Sequence, residues 1–172
     1  SAGIDLANEH QLAALSEALV NTARMEWFAA PMLGCSASDG KTEQVRNPSN
    51  LRDVVGHVQH ADLEDVSNAL ECAVRAVPVW LSTSVNERAA ILERAATLME
   101  AQIQPLIGLL VREAGKTFAN AISEVREAAD FLRYYAVQAR NDFNNETYLP
   151  LGPVVCISPW NFPLAIFTGQ VA

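Results

Sequence analysis

A chain of 172 residues with 12 Lys and Arg against 20 Asp and Glu carries a formal net charge of −8. With no basic block, it lacks the electrostatic footprint that grips a phosphate backbone, which excludes nucleic acid as a partner. Cys35, Cys72 and Cys156 stand at spacings that fit neither a disulfide framework nor a metal site, no charged-then-apolar leader opens the sequence, and every apolar run breaks well short of the roughly 20 residues a membrane helix needs. A reducing, cytoplasmic setting is expected, with at most peripheral membrane association.

From Asn8 to Phe28, the apolar residues Leu12, Leu15, Leu19 and Ala23 recur at the three-and-four spacing of an amphipathic helix, which Pro31 and Gly34 should end. The small polar stretch Cys35 to Lys41 predicts a linker. Residues 1–40 are thus expected as an N-terminal helix and linker, with a domain boundary after them. Val45 on one side and Val54, Val55 and Val58 on the other flank the turn-forming Asn47-Pro48-Ser49-Asn50, which predicts a β-hairpin.

Three helices complete the segment 41–150. Asp62 and Asp65 read as an N-cap with an acidic first turn, Val66, Leu70, Val74 and Val77 share one face, and Pro78 should end the run. Ser84-x-x-Glu87 is a capping box. It opens a helix through Ile91, Leu92, Leu98 and Ile103 that should be interrupted at Pro105 and closed by Gly115. The third helix, about Ala119 to Arg140, advances Ile122, Val125, Ala129, Leu132 and Ala136 by three and four, so one flank packs while Glu124, Glu127 and Asp130 fall toward another. In 151–172, the apolar Gly152-Pro153-Val154-Val155-Cys156 reads as a buried parallel strand. The constrained Ile157-Ser158-Pro159-Trp160-Asn161-Phe162-Pro163 reads as a strand-to-helix turn, and Leu164 onward as the start of a helix.

Several apparent motifs carry no chemistry. Gly115-Lys116-Thr117 imitates the tail of a phosphate-binding loop, but position 110 is Leu where that loop needs Gly, and helix precedes it instead of strand. His57 and His60 lie three apart in an expected strand, so alternation sends them to opposite faces, and no metal site is expected. No serine stands in Gly-x-Ser-x-Gly. Cys156 lies inside an apolar strand, where burial leaves a thiol inert as a nucleophile.

The Pro-Trp-Asn-Phe-Pro turn, Leu110-Val-Arg-Glu-Ala-Gly-Lys-Thr117 and Glu124-Val-Arg-Glu127-Ala-Ala-Asp130-Phe131 resemble the aldehyde dehydrogenase superfamily from about Asn47 onward. The wording from Leu149 to Gln170 is most similar to the L-glutamate γ-semialdehyde dehydrogenase module of the bifunctional proline utilization A proteins. The resemblance implies an α/β parent fold. This segment would be mostly α-helical, with a β-hairpin and the first strand of the NAD-binding domain.

By residue type alone, Asn161 reads as a polar turn or capping residue, Trp160 and Phe162 as ordinary packing, and Glu127 as a solvated carboxylate. The resemblance implies more. Asn161 would donate its side-chain amide to the substrate oxygen during thiolate attack. Ile157, Ser158, Pro159 and Trp160 would line the NAD pocket, Phe162 would wall the aldehyde site, and Glu127 would approach the substrate's α-amino group. The nucleophilic Cys and the general-base Glu would lie beyond Ala172, so the isolated chain is expected to be inactive, with its apolar tail disordered or covered by another copy. FAD would enter only if a proline dehydrogenase domain precedes Ser1, and the Asp5 to Arg24 segment resembles the connection to one. The rival readings are an enzyme acting on another aldehyde and a helical adaptor that uses the Trp-Asn-Phe-Pro tail as a docking peptide.

Overall fold

A computed structural model describes residues 1–33 and 40–172, in which six helices and a three-stranded sheet follow one another along the chain. Of the expected linker from Cys35 to Lys41, residues 35–39 lie outside the described residues, as does the helix end at Gly34. Helix α1 (Glu9–Thr22) starts at Asn8, whose side chain accepts from the His10 and Gln11 backbone N–H groups, and it buries Leu15. It is shorter than its periodicity predicts. Trp27–Ala29 forms strand β1 instead, paired in parallel with β3 (Asn50–Gln59) so that Trp27 faces Gly56. Ladder pairing outweighs helical propensity here because Gly56 has no side chain: a Cβ on it would sit 2.2 Å from the Trp27 carbonyl oxygen. The hairpin forms as expected. β2 (Thr42–Asn47) runs antiparallel to β3, with Asn47 Oδ1 accepting from the Ser49 N–H at 2.9 Å in the turn. Strand order is β1-β3-β2.

Helix α2 (Leu63–Ser82) opens on an Asp62/Asp65 capping box and does not stop at Pro78. The proline removes one ladder bond, but the Ser82 and Thr83 hydroxyls both donate to the Val79 carbonyl, at 2.9 and 2.8 Å, and keep the final turn closed. The Val66, Leu70 and Val74 stripe of α2 is exposed. Helices α3 (Val85–Ala101) and α4 (Ile103–Ala114) separate at Gln102, not at Pro105. Pro105 falls in the first turn of α4, where the missing N–H would have had no intrahelical acceptor. Gly115, at φ 65°, closes α4.

Helix α5 (Phe118–Asp142) is the central element. All five residues expected on its packing flank are buried, with Ile122 and Val125 in a cluster with Leu15 of α1 and Ile107 and Leu110 of α4. Ala129 and Leu132 meet Ala96 of α3. Arg133 and Arg140 of α5 pair with Glu100 and Glu93 of α3 and clamp the two helices from outside. Glu124, expected on another flank than these, is buried as well.

Arg112 of α4 holds Asp53 of β3 with two donors, Nη2 to Oδ1 at 2.6 Å and Nε to Oδ2 at 3.1 Å, while Asn47 Nδ2 donates to Oδ2 at 3.0 Å. The Arg112 hydrogen bond, and after it that of Asn47, holds the Asp53 carboxyl below its ordinary 3.8. A carboxyl lowered in the folded state stabilises fully above the unfolded value, and that contribution is lost as pH falls through the folded one. The gap in urea midpoint between wild type and Asp53→Asn is therefore expected to be widest at pH 7 and to narrow below pH 3.8. A gap independent of pH would contradict the role of this charge.

The run 153–157 forms no strand, because a parallel strand needs neighbours and none of the three described strands lies beside it. Its Val154, Val155 and Ile157 are exposed, and Cys156, expected in the core, is only half-buried, its Sγ 3.5 Å from the Gln170 carbonyl oxygen. The tail is nonetheless fastened to its own chain. Helix α6 (Ala165–Val171) packs on α5 with Ala165 fully buried, and a Cβ on Gly169 would come within 3.0 Å of the Phe131 ring.

Candidate functional site

The candidate site lies where the turn before α6 meets the first turns of α5. Thr117 caps α5, its hydroxyl accepting from the Asn120 N–H at 3.3 Å. Gly115 reverses the chain just before it, and Lys116 between them points inward, its side chain 12% exposed. Lys116 Nζ lies 2.6 Å from Glu124 Oε2, and the Glu124 side chain is only 1% exposed. The Gly115-Lys116-Thr117 sequence thus serves as a helix stop, an inward cation and a helix cap.

The other oxygen of Glu124 faces the tail. Oε1 accepts from the Leu164 N–H at 2.8 Å and from the Ala165 N–H at 3.3 Å. These donors open α6 and have no intrahelical acceptor, so a carboxylate suits them by both hydrogen bonding and dipole. Further back, the Phe162 N–H donates to the Pro159 carbonyl at 3.3 Å. Lys116 Nζ also stands 4.5 Å from the centre of the Phe162 ring, a cation–π distance.

These contacts bring two expected site residues together. Glu127 and Phe162 line one cleft of about 170 Å³ with Lys116, Asn120, Ser123 and Glu124. Lys116 is matched by Glu124, and among the described residues the exposed Glu127 is the charge of the cleft that has no ion pair. Trp160, 86% exposed, borders a separate apolar cavity of about 640 Å³ that Leu106, Leu110, Pro163 and Leu164 also line. Ile157, Ser158 and Pro159 border neither cavity. The Ile157 carbonyl accepts from Gln170 Nε2 at 2.9 Å, which ties that segment to α6. Asn161 is exposed between Trp160 and Phe162, and among the described residues its amide has no hydrogen-bond partner. His57 Nδ1 pairs with Glu26 at 3.2 Å and His60 Nε2 with Glu43 at 3.1 Å, each apart from this site.

Residue types alone miss Glu124 and Lys116. A signal was present: Ala121 and Ala128 bracket Glu124 at helical spacing, so a carboxylate stands among residues too small to cover it unless another element does.

The aldehyde dehydrogenase profile matches residues 35–172, and the chain belongs to the aldehyde dehydrogenase family. It is 63% identical over 172 residues to the bifunctional protein PutA of Escherichia coli (strain K12), covering 100% of this chain and 13% of that protein. With the protein of the same name from Rhizobium meliloti the identity is 53%, over 100% of this chain and 14% of that protein. Among solved structures, proline utilization A from Bdellovibrio bacteriovorus inactivated by N-propargylglycine matches with a TM-score of 0.87 at 29% identity, over 99% of this chain and 19% of that one. The 1-pyrroline-5-carboxylate dehydrogenase from Thermus with bound NAD matches at 0.84 and 30% identity, over 98% of this chain and 36% of that one. The chain therefore spans a small part of each relative's length. None of its described helices is long and apolar enough to cross a membrane.

Proposed function

We propose that this chain supplies one wall of the active site of an NAD-dependent dehydrogenase that oxidises L-glutamate γ-semialdehyde to L-glutamate in the cytoplasm. The observation that carries the reading is the exposed amide of Asn161, without a hydrogen-bond partner among the described residues, on a turn that Glu124 fastens beside the Glu127 cleft. Attack of a thiolate on an aldehyde moves negative charge onto the carbonyl oxygen. A neutral donor already aimed at that oxygen stabilises the transition state more than the starting aldehyde.

Glu127 gives the substrate class. Its carboxylate, without an ion pair among the described residues, meets the ammonium of an amino acid aldehyde, while the Phe162 ring that shares the cleft walls the carbon chain. NAD, held against residues 157–160, would supply the hydride acceptor. What 157–160 offers toward it is mostly apolar: Ile157 and Trp160 are 80% and 86% exposed, with Ser158 as the one hydroxyl. These residues suit contact with rings and sugar and place no cation near a pyrophosphate, so phosphate binding falls to other parts of the full-length protein. We place the nucleophilic cysteine and the general base there too: Cys156 Sγ lies 3.5 Å from the Gln170 carbonyl oxygen, and neither described cysteine lines the Glu127 cleft. FAD would enter only with a proline dehydrogenase domain elsewhere in the full-length protein, an extension of the proposal that the likeness to relatives called bifunctional supports.

Glu127→Gln in the full-length protein is expected to raise KM for L-glutamate γ-semialdehyde by about 10-fold or more, the worth of one charge-assisted hydrogen bond. Propanal, which lacks the amino group, should lose far less. Equal losses on both aldehydes would remove Glu127 from substrate recognition and favour an enzyme for another aldehyde.

A further inference from the structure

The Asn161 turn belongs to no helix or strand, yet an oxyanion donor must be held within a few tenths of an ångström to act. The Phe162 N–H bond to the Pro159 carbonyl closes the turn on itself, so what is left for side chains is to hold the turn against the rest of the fold. The first backbone groups after it that are fastened to a rigid element are the Leu164 and Ala165 N–H groups, and both bind one oxygen of Glu124. Between them and Asn161 stand only Phe162, with Lys116 Nζ 4.5 Å from its ring centre, and Pro163, whose ring fixes its own φ. A short, stiff path therefore joins Asn161 to the buried side of α5.

We infer that Glu124 is a positioning residue for Asn161, setting the height and direction of the donor turn above α5, with Lys116 as its counter-charge and as a stop against Phe162. The inference rests on the oxyanion role of Asn161 proposed above. A carboxylate does here what a smaller cap cannot, accepting from two backbone N–H groups through one oxygen while the other stands 2.6 Å from the Lys116 ammonium as its ion-pair partner. As a device for stability alone, a buried ion pair is a weak choice, because well-packed apolar side chains of similar volume do as well or better. What it gives is a single geometry for the turn that carries the donor.

The test is a mutant cycle in the full-length protein, following NADH formation from L-glutamate γ-semialdehyde. Glu124→Ala is expected to lower kcat about 10²-fold, the usual consequence of a displacement near 1 Å. Affinity for NAD should stay within about twofold of wild type, and Glu124→Gln, which keeps an acceptor for Leu164 and Ala165, should recover about tenfold of the loss. In an Asn161→Ala background, Glu124→Ala should cost less than about threefold more, because a residue acting through Asn161 then has nothing to position.

A full additional loss in the double variant, with Asn161→Ala itself costly, overturns the positioning role and leaves the donor role standing. Asn161→Ala within about tenfold of wild type overturns the donor role instead. Should Glu124→Ala not fold, Glu124→Gln and Lys116→Met carry the same cycle. A loss in kcat that vanishes in the Asn161→Ala background supports the inference, and one that persists there, or no loss at all, refutes it.

Discussion

Asn161→Ala in the full-length protein is expected to lower kcat by about 10²–10³-fold, equivalent to roughly 2.7–4 kcal/mol, while NAD binding is unchanged. The size follows from where the charge develops. The aldehyde oxygen is nearly neutral before attack and anionic after it, so a fixed amide donor lowers the barrier far more than it tightens ground-state binding. The structure makes the donor available, since the amide is exposed and has no partner among the described residues to compete for it. NAD affinity should hold because Asn161 follows the 157–160 segment assigned to the cofactor and lies outside it. A larger effect on KM for NAD than on kcat would move Asn161 from the oxyanion to the cofactor.

The second large effect is on stability. Glu124→Ala removes the partner of a lysine whose side chain is only 12% exposed and strips the acceptor from two N–H groups that open α6. Leaving one member of a buried pair without its counter-charge costs about 3–5 kcal/mol. Glu124→Gln should cost less, since its amide oxygen still accepts from the tail. An exposed pair provides the contrast: Arg75 and Glu71 of α2 are 3.8 Å apart and 67% and 70% exposed, and Glu71→Ala should stay within about 0.5 kcal/mol of wild type. Urea unfolding, with hydrogen exchange followed over 164–171, separates the two cases. A Glu124→Ala variant no less stable than Glu71→Ala would contradict the burial argument.

Much of the scaffold was legible because its signals are local. The N-cap at Asp62, the capping box at Ser84, the hairpin around Asn47-Pro48-Ser49-Asn50 and the packing flank of α5 each depend on residues within a few positions of one another. The misreadings are places where a distant segment decides. Strand β1 exists because Gly56, far along the chain, admits the Trp27 backbone, and periodicity around Trp27 carries no trace of that. Pro78 looked terminal because the Ser82 and Thr83 hydroxyl bonds that keep the last turn closed come after it. The 153–157 run has the composition of a strand but finds no neighbour among the described strands, and composition cannot supply one.

The candidate site divides the same way. The Pro-Trp-Asn-Phe-Pro turn is distinctive enough to mark Asn161 and Phe162 as candidates, and the Glu127 pattern marks the carboxylate that shares a cleft with Phe162. Glu124 and Lys116 look like solvated charges until α6 folds back, since Glu124 acquires its backbone partners 40 and 41 residues later in the chain. Charged residues are seldom buried unless paired, so reading them as exposed is the sound default, and it fails where a carboxylate has both a cation and a helix start to hold.

The most direct measurement is single-turnover NADH formation by the full-length protein with L-glutamate γ-semialdehyde and saturating NAD, wild type against Asn161→Ala. The chemical step is then read apart from product release. The rate is expected to fall by about 10²-fold or more in the variant with the bound NAD unchanged. A rate within about tenfold of wild type would contradict the assignment of Asn161 as the donor that stabilises the developing oxyanion.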